Sequence, residues 1–215
     1  YEVVQGDGNG RFRPEASMTR GEFATAVVNL LGLTHKTNYN VFTDLKGDEW
    51  YAEPILKLHK AGIMKGDESK RSNPNARISR EEAFVMIGRA LGVEPKADAD
   101  LSGYDDAGTV SNWAKPMMAA LVEEGYVKGV TESTLRPESN INRASVLQVF
   151  SNTVTTYVTE PGTYTAPDKG FVVVKAAEGK VTIQGGAAGV IVGQSSKGAE
   201  ITLNKAAISG DVKVD

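Results

Sequence analysis

The chain has 215 residues, a formal net charge of −3, 40% hydrophobic and 24% charged residues, and no cysteine. Those values are globular; they argue against a nucleic-acid-binding chain, which would show a basic patch, and they exclude disulfides and thiolate metal sites. No run approaches the roughly eighteen apolar residues of a membrane span. A basic start followed by an apolar stretch, the mark of a signal peptide, is also missing, which leaves open a mature secreted chain, a cytosolic chain and a trimmed fragment.

In chain order, Gly6-Asp7-Gly8-Asn9-Gly10 comes first. It has part of a calcium loop's spacing but lacks the regular acidic ligands and terminal Glu, so it reads as a Gly-rich turn. Thr19 then predicts a helix N-cap with Glu22 as its capping-box partner, and Phe23, Val27, Leu30 and Leu31 form the apolar face behind it. Trp50 to Ala61 has mostly helical apolar spacing, ended by Gly62. A polar loop from Gly66 to Arg77 follows, and Ser79 with Glu82 predicts a second capped helix carrying Ala83, Phe84, Ile87, Ala90 and Leu91. In the third such unit Asn142 can cap, but Ser145 stands where the acid should be, so half of the box is lost.

From about Tyr157 the helical period disappears. Short β-prone runs at 171–175, 180–184, 190–192, 200–203 and 211–214 are separated by turn-prone stretches, as in a sandwich, barrel or β-solenoid. Pro161 and Pro167 mark the junction as short and stiff.

The helical part is a repeat. An apolar residue, one variable residue and Gly lead to a Pro eight residues on, then to an apolar–polar–Arg triplet. The three copies run from Val4-Gln5-Gly6 to Met18-Thr19-Arg20, from Met64-Lys65-Gly66 to Ile78-Ser79-Arg80, and from Val127-Lys128-Gly129 to Ile141-Asn142-Arg143. Gly to Arg is fourteen positions each time, and Trp50 and Trp113 each precede their Gly by sixteen. A fixed period of this kind decides the architecture. In the first copy the Trp position falls before Tyr1, which reads as truncation or processing, or as a natural half-repeat.

These residues resemble the S-layer homology (SLH) family, whose repeat has a Phe-x-Asp start, a Trp-headed helix, a Gly-Ile-x-Gly turn, a Pro-bearing loop and an Ile-Thr-Arg-Ala-Glu helix start. The second copy matches with Val41-Phe42-Thr43-Asp44, Trp50, Gly62-Ile63-Met64-Lys65-Gly66, Pro74 and Ile78-Ser79-Arg80-Glu81-Glu82. The third matches with Tyr104-Asp105-Asp106, Trp113, Gly125-Tyr126-Val127-Lys128-Gly129, Pro137 and Ile141-Asn142-Arg143-Ala144-Ser145. The first keeps Gly6, Pro14 and Met18-Thr19-Arg20-Gly21-Glu22. The expected fold class is α plus β and multidomain: SLH repeats over 1–34 (incomplete at its start), 41–93 and 103–157, then a β-rich solenoid or sandwich over 158–215. The resemblance implies a pseudo-threefold helical bundle whose inter-repeat grooves bind a secondary cell-wall polysaccharide, often bearing pyruvate ketals. It also implies a bacterial surface protein or exported enzyme, and so a secreted, wall-bound location.

The chemistry of the repeated residues agrees. A planar guanidinium can meet a ketal carboxylate with two parallel hydrogen bonds, which makes Arg20, Arg80 and Arg143 the anion-reading candidates. Each sits at a helix start, where backbone N–H groups and the helix dipole add anion affinity. The alternative is a brace between repeats. Trp50 and Trp113 can offer an apolar face to a sugar, although core or interface packing is the favoured reading. Asp44 and Asp106 can rim the site or serve as turn and cap residues. Gly66 and Gly129 can admit a ligand close to the backbone or turn with positive φ.

Other chemistry has little support. His35 and His59 share no metal spacing; His59 reads as an amphipathic helix residue and His35 as a linker residue. The acidic stretch from Asp98 to Asp106 reads as a solvated linker rather than a cation site. No Ser–His–Asp arrangement or phosphate loop is visible, and the adjacent pairs Glu81-Glu82 and Glu123-Glu124 point in different directions on a helix. No catalytic residue, metal site or cofactor is expected. Besides glycan anchoring, two readings stand: self-association of the β-rich tail in a surface lattice or filament, and a tether for an enzyme domain elsewhere in a longer protein.

Overall fold

A computed structural model of the chain describes residues 3–6, 9–98, 100–204, 207–208 and 212–214. Among these, five α-helices precede eight strands, an α plus β arrangement. Tyr1, Asp7, Gly8 and Asp211, which figure in the sequence reading, lie outside the described residues.

The long helices α1 (Arg20–Leu31), α3 (Arg80–Leu91) and α5 (Arg143–Thr153) begin at the expected caps. Thr19 Oγ1 accepts from Glu22 N at 3.1 Å while Glu22 Oε2 accepts from Thr19 N at 2.7 Å. Ser79 and Glu82 repeat the exchange at 3.2 and 2.9 Å. Asn142 makes only the outward bond, accepting from Ser145 N at 2.8 Å. Helices α1 and α3 end at Gly32 and Gly92, both left-handed, which releases the chain from the helix without a Cβ penalty. No such glycine follows α5.

The short helices α2 (Ala52–Lys60) and α4 (Lys115–Glu123) start two residues after their Trp, not at it. Trp50 and Trp113 occupy the preceding turn, closed by Ala52 N to Glu49 O at 3.0 Å and Ala114 N to Ser111 O at 2.9 Å. Pro54 and Pro116 then fall in first turns, where a missing N–H costs nothing.

The repeats interleave rather than stack. Helix α1 packs on α2 and α3 on α4, so each of these long helices meets the short helix of the following copy. At the centre the chain closes a ring: Met18 N donates to Ile141 O, Ile141 N to Ile78 O, and Ile78 N to Met18 O, all at 3.1 Å. The three side chains are fully buried. The first two N–H groups of each long helix also leave their own copy. Arg20 and Gly21 donate to Ala76 O and Pro74 O, Arg80 and Glu81 to Ser139 O and Pro137 O, and Arg143 and Ala144 to Ala16 O and Pro14 O.

The strands are β1 (Val154–Val158), β2 (Gly162–Ala166), β3 (Phe171–Val174), β4 (Glu178–Ala187), β5 (Gly189–Val192), β6 (Gly198–Leu203), β7 (Ala207–Ile208) and β8 (Val212–Val214). Every pairing is parallel, in two sheets ordered β1-β3-β5-β8 and β2-β4-β6 with β7 also on β4. Strand β1 follows Thr153 directly, so the junction is a helix running into a strand, and Pro161 and Pro167 lie beyond it. Strands β3 and β5 are buried on both faces, which is why they read as unbroken FVVV and GVIV. Phe171, Val173 and Ile191 join the helical core; Val172, Val174, Val190 and Val192 face a second core with Val181 and Ile183.

The strand segment docks on the end of α1. Lys175 Nζ donates to Asn29 O at 2.7 Å, and Gln194 Oε1 accepts from Thr34 N, His35 N and His35 Nδ1 at 3.0, 2.7 and 2.8 Å. His35 is therefore part of a packed joint, not of a free linker. His59 lies in α2 with its ring edge against Phe42 and Tyr39.

Candidate functional site

Three grooves open between the copies, each built from equivalent positions. In one, of about 500 Å³, Arg20 of the first copy meets the Lys65-Gly66-Asp67 loop of the second. Its floor is Glu82, Val85, Met86 and Arg89 of α3, and Trp113 arrives from the third copy. In another, of about 350 Å³, Arg143 meets Gln5-Gly6, the floor is Glu22, Thr25, Ala26 and Asn29 of α1, and Trp50 arrives from the second copy. In the remaining one, of about 520 Å³, Arg80 meets Lys128-Gly129-Val130 over Ser145, Gln148, Val149 and Asn152 of α5. The floor residues are a box position and those three, four and seven residues on, one face of each helix.

The three arginines are held alike. Their Nε atoms donate to Ser72 O, Leu135 O and Phe12 O at 2.8, 2.9 and 2.8 Å. Their Nη2 atoms donate to Lys65 O, Lys128 O and Gln5 O, the residue before each repeated Gly. Arg80 and Arg143 also lie over the rings of Phe84 and Phe12, at 4.9 and 4.7 Å from the centroids. Each guanidinium thus braces the next copy's loop and lines a groove at once. Burial, and then the Arg136 charge, lower the Arg80 pKa against the opposing pull of Asp106.

The backbone donors expected at the helix starts are already engaged. The first two N–H groups of each long helix are spent on the neighbouring loop, and the third is taken by the cap side chain.

Trp50 and Trp113 are 60% and 54% exposed, the reverse of the packing preferred from sequence. Each sits on the rim of a neighbour's groove, brought there by the interleaving of the copies. The Arg80 groove has Phe84 and Val130 in its lining instead.

Asp44 and Asp106 stand apart from the grooves. Asp44 accepts from Ser72 N and Asn73 N at 2.8 and 2.7 Å and from Ser72 Oγ at 3.0 Å. Asp106 accepts from Leu135 N and Arg136 N at 2.8 and 2.7 Å. Burial pushes both carboxyls up, but the N–H groups outweigh it and hold both below the usual carboxylate range. Each clips its own loop beside a left-handed residue, Asn73 or Arg136, at φ 51° and 50°. They fix the carbonyls that hold the arginines.

Gly66 and Gly129 line grooves but neither has positive φ. A Cβ on Gly66 would stand 2.7 Å from the Phe42 ring, and one on Gly129 would strike the carbonyls of Thr131 and Thr134. The repeated glycine makes room for its own loop and aromatic ring.

Sequence reasoning missed the floor residues, the lysines before the glycines, and Arg77 and Arg89 in the Arg20 groove. The repeat register holds the signal, because the floor positions keep one offset from the box in every copy. Among the described residues no cluster of metal-ligating side chains occurs, and no helix is long and apolar enough to cross a membrane.

The family model for the S-layer homology domain matches residues 1–24, 41–84 and 103–147, a little over half of the chain. Three curated relatives align over 69–71% of the chain. A Surface-layer 125 kDa protein of Lysinibacillus sphaericus is 36% identical over 71% of this chain and 13% of its own length. An amylopullulanase of Thermoanaerobacterium thermosulfurigenes is 30% identical over 69% of this chain and 8% of its own length. Exoglucanase XynX of Acetivibrio thermocellus is 29% identical over 69% of this chain and 14% of its own length. The chain therefore spans only a small fraction of each relative. Three matched segments, in register with three interleaved copies, show that the chain belongs to the S-layer homology domain family.

Proposed function

We propose that this chain anchors a cell-surface protein non-covalently to an acidic secondary cell-wall polysaccharide, bound in the grooves between its repeats. The observation that carries the reading is the same guanidinium recurring in three equivalent grooves, two of them rimmed by an exposed Trp. The carboxylate of a pyruvate ketal is the chemistry a planar guanidinium fork reads best, and Arg20, Arg80 and Arg143 are the three residues that bring such a fork to a groove. Trp50 and Trp113 give the sugar an apolar face. Gly66 and Gly129 act on the ligand indirectly, by shaping the loops, as do Asp44 and Asp106. The three repeats form a pseudo-threefold bundle, and the strand segment winds as a solenoid, because its strands pair in parallel with those two or three places on. The chain works at the bacterial cell surface, and no cofactor enters this reading.

Two further roles rest on the relatives' names. A surface-layer protein among them favours self-association of the strand segment in a lattice. An amylopullulanase and an exoglucanase that align with 69% of this chain over only 8% and 14% of their own length favour a wall tether for another domain. Neither role conflicts with glycan binding.

The test is Arg80→Ala against purified wall. Binding should fall by roughly tenfold or more, the order for losing a charge-assisted hydrogen-bond pair, while helical circular dichroism is retained. Unchanged wall binding contradicts a direct Arg contact. Parallel loss of helicity and binding favours the brace as Arg80's only role.

A further inference from the structure

The three grooves are equivalent in position but not in charge, and the difference sits at the box residue on each floor. In the Arg20 groove that residue is Glu82. Its Oε2 completes the capping box, and its Oε1 accepts from Arg20 Nη1 at 2.6 Å. The guanidinium is then engaged on all three nitrogens, by Ser72 O, Glu82 and Lys65 O. An incoming carboxylate has to displace an acid already in place.

In the Arg80 groove the same position is Ser145. Among the described residues no acid lines this groove, whose cations are Arg80 and Lys128. Arg80 Nε and Nη2 are held by Leu135 O and Lys128 O, and among the described residues no carboxylate pairs with Arg80. Two further charges act on it: Arg136, which repels, and Asp106, whose two oxygens each already accept a backbone N–H, from Leu135 and Arg136. A guanidinium only 8% exposed and without a counter-ion is costly, because carbonyls solvate it but do not neutralise it. A ligand carboxylate would neutralise it. The Arg143 groove is intermediate, with Glu22 on its floor but no ion pair between the two.

We infer that the box residue selects which groove takes an acidic ligand, and that Ser145 makes the Arg80 groove the carboxylate seat while Glu82 holds the Arg20 groove closed to it. This rests on the anchoring reading above. It reverses the sequence-level view of the third repeat: the missing Glu weakens the cap but frees the arginine.

Two substitutions test it, read by titration calorimetry of the whole chain with a methyl glycoside carrying a pyruvate ketal and with the same glycoside lacking it. Ser145→Glu restores a full capping box, so its Tm should not fall, yet the tight ketal site should weaken by roughly tenfold or more. Glu82→Gln keeps a residue that can complete the box, and it should add a second ketal site at the Arg20 groove. Unchanged affinity in Ser145→Glu, with no new site in Glu82→Gln, overturns the selection while leaving anchoring intact. No ketal-dependent binding by the unsubstituted chain overturns both.

Discussion

At the residue scale, several repeated polar residues serve the frame of the grooves. Asp44 is the clearest case, with three donors from Ser72 and Asn73 holding its carboxylate. Asp44→Ala would orphan those donors next to the carbonyl that holds Arg20, and should cost about 1–3 kcal/mol, measured by denaturant unfolding. The pH effect follows from the direction of the shift. A carboxyl whose pKa falls on folding stabilises above its ordinary value of 3.8 and loses that contribution as pH drops through the lower folded value. Asp106 acts in the same direction on the third repeat's loop. Stability should therefore be steady above about pH 4 and decline below it, with Asp44→Ala showing a shallower decline. The sequence showed which residues recur, and the cap-or-turn alternative for the two aspartates was legible from their type. The exposure of Trp50 and Trp113 was not, because large aromatics bury in most folds and only the interleaving of copies carries these two to a rim.

At the element scale, capping and closure explain why the helices start where they do. Ser79→Ala removes the acceptor for Glu82 N and loosens the Glu82 side chain that also holds Arg20. It should cost about 1 kcal/mol, seen as a lower unfolding midpoint with unchanged helical content at low denaturant. The capping boxes of α1 and α3, and the half-box of α5, were readable because they are local. The ring of Met18, Ile141 and Ile78 was not, since each bond joins copies about sixty or more positions apart. The passage from α5 to β1 was missed for a different reason. Val154-Thr155-Thr156-Tyr157 has β-branched character but follows an amphipathic helix with no Gly or Pro to mark the change. Strands β3 and β5 were visible because burial on both faces leaves an unbroken apolar run.

At the scale of the whole molecule, the helical copies and the strand segment share a core through Phe171, Val173 and Ile191. They also share a joint at Asn29, Gly32 and Gln194. Asn29 lines the Arg143 groove, and its carbonyl accepts from Lys175 of the strand segment, so that groove is backed by the joint. Interleaving gives each groove an arginine from one copy and a floor from the next, with the Trp, where present, from the third. No single repeat therefore contains a whole groove. The most direct test is co-sedimentation of the chain with purified wall, before and after the ketals are removed by mild acid hydrolysis. The account predicts that the chain pellets with untreated wall and stays in solution with the stripped polymer; equal sedimentation with both contradicts it.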